Sequence, residues 1–173
     1  SIAMVNYAMR IPFAMSSILI FSIWSVALPH LDFSNEDLTR KSSKWLFDRI
    51  TFLVVGMGAV VSVLYFISPE LVDFIYGRSG TLTNFQKKEI SGLQKIYFIA
   101  LPAQLAIGLF FRYLHAKGKA FDTLMIAAIA LPVSFAVFKM YGTLISVGYS
   151  YLVNFLVCII VLVLLKVRDI AYD

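Results

Sequence analysis

Along the chain, long apolar runs alternate with short charged segments. Uncharged runs cover residues 11–30, 50–69, 96–111, 123–138 and 140–165. A helix that crosses a bilayer needs roughly 20 predominantly apolar residues, within a range of about 17–25. The third and fourth runs reach that length when Lys95, Arg112 and Lys139 extend from the helix ends toward the headgroups. The first extends backward through Arg10 to Ile2. A membrane β-barrel would instead show segments of roughly ten residues with alternating polarity, and the sequence has none. The pattern predicts an all-α fold, a polytopic transmembrane bundle over 1–173 with five spanning helices at about 2–29, 47–67, 90–114, 123–140 and 144–167.

The polar connections carry their own helix signals. Ser34, Asn35, Glu36 and Asp37 form a capping-box pattern, in which a hydroxyl and a carboxylate satisfy the first free N–H groups. It predicts a polar helix leading through Trp45 and Phe47 into the second span. Ser68, Pro69 and Glu70 read as the start of another helix with proline at its first position. That short helix, over 70–76, would place Leu71, Phe74 and Ile75 on one side, stop at Gly77 and lie in the interface. Thr83 with Gln86 opens the third span, and Asp122 is expected to cap the fourth. No low-complexity segment or internal repeat is evident.

Composition then narrows the class. Hydrophobic residues make up 60% of the chain and charged residues 14%, too apolar for a soluble domain of this length. A single cysteine, Cys158, excludes an intrachain disulfide framework. The formal net charge is +5, and its distribution orients the chain. Nine basic residues (Arg40, Lys41, Lys44, Arg49, Arg112, Lys117, Lys119, Lys166, Arg168) fall in one set of connections. Five (Arg78, Lys87, Lys88, Lys95, Lys139) fall in the other. The positive-inside rule places the first set in the cytoplasm, with Ser1 outside and Asp173 inside. No basic stripe with interleaved aromatics is present, so no nucleic-acid partner is expected.

Catalytic patterns are missing from the sequence. His30 and His115 stand 85 positions apart without a cysteine or carboxylate at metal-ligand spacing. Gly77, Arg78, Ser79 and Gly80 form a turn without the Lys-Ser/Thr of a phosphate-binding loop. Asp32 and Asp37 are the one conceivable metal pair, and a capped interfacial helix accounts for them better. The expectation is a protein that is not an enzyme, with no cofactor and no metal.

Polar and helix-interrupting residues inside the spans are more informative. Arg10 stands about 12 Å into the first helix at 1.5 Å per residue. It cannot shed its charge, so it either snorkels to the headgroups or faces a wet cavity, a partner or an anion. Pro12 frees backbone carbonyls beside it, which favours the cavity. Pro102 and Pro132 interrupt the third and fourth spans as hinges or kinks. Ser134 is expected to bond a carbonyl released by Pro132, Asn154 to bond between helices, and Lys139 to snorkel outward.

The order of motifs resembles that of a known family. Asn6, Tyr7, Ala8, Met9 and Arg10, with Leu28, Pro29, His30 and Leu31 at the end of the same run, resemble the N-Y-A-x-R … L-P-x-L pattern of the lipid II flippases of the MurJ/MviN type. Pro69, Glu70, Leu71 and Val72, continuing through Gly77, Arg78, Ser79, Gly80, Thr81, Leu82 and Thr83, resemble the family's P-x-[LIV]-V … F-G-R-G-x-F-T segment. Leu101, Pro102 and Ala103, followed by Phe111 to Lys119, are similar to its L-P-A … F-Y-A-x-G-D. The multidrug/oligosaccharidyl-lipid/polysaccharide flippase superfamily shares much of this layout.

This resemblance implies five helices from the second lobe of a longer flippase, in the orientation already given by the basic residues. A chain that starts at Ser1 without a signal-peptide pattern also reads as part of a longer one, a processed small membrane protein being the alternative. The implied function is transport of a lipid-linked diphosphate saccharide, such as lipid II, across the cell inner (cytoplasmic) membrane among its lipids. In the family, the arginine matching Arg10 lines a cationic cavity that receives the diphosphate, with Asn6 and Tyr7 as neighbours. Pro12, Pro102 and Pro132 would permit bending. Two positions depart from the pattern. Met9 stands where the family often has aspartate, and the positions of a proposed sodium site are Ser134 and Phe138, of which the second has no ligand oxygen. The alternatives are an O-antigen or capsule-type polysaccharide flippase, or a non-transporting membrane scaffold.

Overall fold

The computed structural model describes residues 2–31, 34, 36–77, 82–141 and 143–172, and among them the chain is helical without a strand. The order is α1 (Ile2–Ala27), a 3-10 turn (Leu28–His30), α2 (Glu36–Tyr76), α3 (Asn84–Ala116), α4 (Ala120–Tyr141) and α5 (Leu144–Tyr172). Five helices are long and apolar enough to cross a membrane. In α3, 56% of the apolar window is buried, against 11–17% in the other four, so α3 is the central post.

Three clusters fasten the others to it. At one end, Met4 and Ala8 of α1 pack with Val72 and Tyr76 of α2 and Ile90, Leu93 and Tyr97 of α3. At the other end, Ala27 of α1 meets Leu46 and Ile50 of α2 and Leu109 and Tyr113 of α3. The start of α1, the end of α2 and the start of α3 therefore share one end of the bundle. Ile126 and Ala130 of α4 and Cys158 of α5 close on Ile107 of α3.

Between helices in lipid the driving force is close van der Waals contact rather than water exclusion, which favours small residues at crossings. Gly108 of α3 faces Ile20 of α1, and Gly148 of α5 faces Ile96 of α3. Hydroxyls and amides supply the polar links. Ser68 donates to Gln94 Oε1 at 2.9 Å and lies 3.3 Å from the Ser91 hydroxyl, all three buried at the α2–α3 seam. Ser134 of α4 lies 3.1 Å from Asn154 Oδ1 of α5, the interhelical bond expected of Asn154.

Local signals succeed and fail for identifiable reasons. Thr83 and Gln86 form the reciprocal capping box at the start of α3. The turn after α3 closes through Gly118 at φ 77°, a left-handed conformation suited to glycine. Asp122 lies in the first turn of α4, which begins at Ala120, so it sits too late to be the cap. Ser134 donates to its own helix neighbour Ala130, whereas Pro132 releases the carbonyl four residues before it, that of Ala128.

The main correction concerns residues 70–76. They form the last two turns of α2, which passes through Pro69 without a break, and not a separate short helix. Ser68 is consequently no cap; its hydroxyl is spent on the seam with α3. At the other end α2 begins at Glu36, where the Ser34–Asp37 pattern predicts a start; Asn35 and Asp32 lie outside the described residues.

Candidate functional site

The first half of α1 holds the predicted site residues. Ala8, Pro12 and Ser16 recur every four positions and are all buried, which fixes one side of α1 against the bundle. The opposite side carries Asn6, Arg10, Ala14, Ser17, Phe21 and Ser25, and all six are exposed. Their spacing of three and four keeps them within one stripe of a 3.6-residue helix. Ala14 and Phe21 on it are apolar, and the Ser25 hydroxyl donates to the Phe21 carbonyl at 2.8 Å. What sets this face apart from one turned to hydrocarbon is the amide of Asn6, the guanidinium of Arg10 and the hydroxyl of Ser17.

Arg10 is positioned by its own helix and by the end of α2. Its guanidinium carbon lies 5.1 Å from the centre of the Tyr7 ring, three residues back. The Tyr7 ring packs on Tyr76 at 4.9 Å, and the Tyr76 hydroxyl donates to the Tyr7 carbonyl at 3.1 Å. Tyr76 is 9% exposed and belongs to the buried cluster. The support thus runs from the core through Tyr76 and Tyr7 to an exposed guanidinium. Such an arrangement leaves the planar fork available to two oxygens of one anion.

Asn6, Tyr7 and Arg10 are brought together, with Asn6 one turn from Arg10 on the same stripe. Pro12, by contrast, is buried on the opposite side of α1, so the carbonyl it releases, that of Ala8, lies away from Arg10. Pro102 and Pro132 lie in the middle of α3 and α4, inside continuous helices. Sequence reasoning overlooked Ser17 and Ser25. The signal was present, because Asn6, Arg10, Ser17 and Ser25 fall on one helical stripe of an otherwise apolar run.

The opposite end of the bundle is tied down separately. Ser43 of α2 bonds the Tyr113 hydroxyl of α3, and His30 packs on Trp45 at 5.1 Å. Among the described residues no group of three or more His, Cys, Asp or Glu is placed to hold a metal. No protein-family model, curated protein or solved structure matches this chain.

Proposed function

We propose that this chain acts in a transporter that moves a lipid-linked diphosphate saccharide, such as lipid II, across the cytoplasmic membrane by alternating access. It would make and break no covalent bond. The observation that carries the reading is the exposed polar stripe of α1 headed by Arg10. Facing lipid at mid-depth, an arginine costs about 2.5–3.5 kcal/mol on insertion scales. The stack on Tyr7 returns about 0.5–1 kcal/mol at an exposed site. That leaves a deficit which water in a cavity, or a phosphate oxygen pair, removes.

In this reading the stripe lines a central cavity opposite a second lobe, as the resemblance to the lipid II flippases implies. Arg10 takes the diphosphate through its fork, Asn6 offers an amide one turn away, and Tyr7 holds the guanidinium. Pro12, Pro102 and Pro132 are the sites where hydrogen bonds missing from the helix ladder ease bending. The last two turns of α2 lie in the interface on the Ser1 side, where Phe74 and Ile75, both exposed, meet the acyl boundary.

The test is Arg10→Ala in the full-length protein, read by complementation and by accessibility of the lipid-linked saccharide on the outer face. Transport should fail while membrane insertion is unchanged, and Arg10→Lys should restore part of it, because an ammonium lacks the fork. Truncating one partner of a desolvated charge pair costs about 2–5 kcal/mol. Full activity in Arg10→Ala would leave Arg10 as a snorkelling residue and favour the scaffold.

A further inference from the structure

The end of α2 and the start of α3 enclose an open groove of about 640 Å³, away from the α1 stripe. Glu70 and Asp73 line it from α2, and Lys87, Lys88, Gly92 and Lys95 from α3. Asp73 is matched by Lys87, whose ammonium lies 2.6 Å from its carboxylate. The charges that remain are Lys88 and Lys95 against Glu70, an excess of one positive charge. Lys95 sets its ammonium 5.0 Å from the centre of the Tyr65 ring on α2.

The order of residues down the groove is that of an amphiphile. Lys88, Gly92, Lys95 and Ile99 are spaced by four, three and four, so they follow one face of α3 from its polar end into its apolar part. Lys88 and Lys95 are about 10 Å apart along the axis, within reach of a common point over Gly92 for two four-carbon stems. Gly92 leaves that point open, since a Cβ built there meets nothing within 4 Å. One turn further along each helix, Ile99 follows Lys95 on α3 and Phe66 precedes Glu70 on α2, exposed at 47% and 76%.

We propose that this groove binds an anionic phospholipid, with its phosphate over Gly92 between the ammonium groups of Lys88 and Lys95 and an acyl chain along Ile99 and Phe66. A zwitterionic lipid gains less, because its own cation meets two lysines. The site makes no use of Arg10 and stands apart from the transport reading.

Native mass spectrometry of the full-length protein in detergent tests this, with phosphatidylglycerol, phosphatidylcholine and soluble glycerol phosphate as probes. Phosphatidylglycerol should be retained in preference to phosphatidylcholine. Lys88→Gln and Lys95→Gln should each lower its retention about fivefold, the share of one lysine near an anionic surface. Gly92→Leu should lower it by filling the site with every charge in place, and Lys117→Gln, on the opposite end of the bundle, should not. Should Lys95→Gln lose helix content, Lys88→Gln and Gly92→Leu decide the outcome. Equal retention of the two lipids, or retention unchanged in Gly92→Leu and Lys88→Gln, overturns the proposal. Displacement by glycerol phosphate at the same concentration also overturns it, as that would be a site for free phosphate.

Discussion

A serine hydroxyl has one proton, and that limits what Ser134 contributes between α4 and α5. The hydroxyl lies 2.7 Å from the Ala130 carbonyl and 3.1 Å from Asn154 Oδ1. Its proton is shared between an acceptor in its own helix and one across the interface. Removing Asn154 leaves the proton to Ala130, so no donor is stranded. Asn154→Leu should therefore cost little, near the average of about 0.6 kcal/mol for interhelical bonds in membranes and below the maximum of about 1.7. A double-mutant cycle with Ser134→Ala on unfolding in detergent measures it; coupling well above that range would mean Asn154 holds more than this bond. The residue type disclosed the partnership in advance, because an amide inside an apolar run needs a partner. Which residue would answer it depended on the rotation of two helices, which composition does not contain. Arg10 is similar. Its charge and depth could be read directly, whereas its cradle of Tyr7 and Tyr76 joins positions 69 apart.

Element boundaries show why one proline was misread and one cap was not. Thr83 and Gln86 answer each other within four residues, so the pattern and the geometry are the same thing. Ser68, Pro69 and Glu70 fit both a new helix with proline at its start and a helix carried through a proline. Long-range packing decides between them. Val72 is 1% exposed and Tyr76 9% exposed, against α1 and α3, and those contacts keep the last turns in line with the rest of α2. The resulting helix has 41 residues, about 60 Å long, roughly twice the hydrocarbon thickness. Glycines at and away from the crossings differ in a way that can be measured. Gly148 has three atoms of Ile96 at 3.2–3.3 Å from a built Cβ, including the Ile96 Cβ, which cannot swing aside. Gly56 has nothing within 4 Å. Gly56→Ala should be neutral or stabilising, by up to about 1 kcal/mol from helix propensity. Gly148→Leu should overpack the α3–α5 crossing, costing about 1–3 kcal/mol or more. Thermal unfolding in detergent distinguishes the two; equal melting temperatures would mean α5 is free to shift away from α3.

At the scale of the molecule, packing shows which helix ends lie together, and the charge bias predicts which of the two groups faces outside. The clusters put the start of α1, the end of α2 and the start of α3 at one end. The basic count assigns that end to the outside because the opposite connections hold nine of the fourteen lysines and arginines outside Arg10, nine against five. Accessibility to an impermeant thiol reagent checks the direction, and the structure chooses where to place the probes. Ser42, attractive in sequence as a hydroxyl in a basic segment, is 8% exposed and would stay unlabelled on either side of the membrane. Lys41 beside it is exposed, and Phe85 at the start of α3 is 71% exposed. The native Cys158 is buried at 3% exposure and gives little background. In intact cells Phe85→Cys should label and Lys41→Cys should not, and permeabilisation should make Lys41→Cys reactive. Labelling of Lys41→Cys from outside, with Phe85→Cys protected until the membrane is opened, would invert the bundle. Arg10, near the start of α1, would then lie toward the cytoplasmic side of the bilayer, and the groove of Lys88 and Lys95 would meet cytoplasmic lipid.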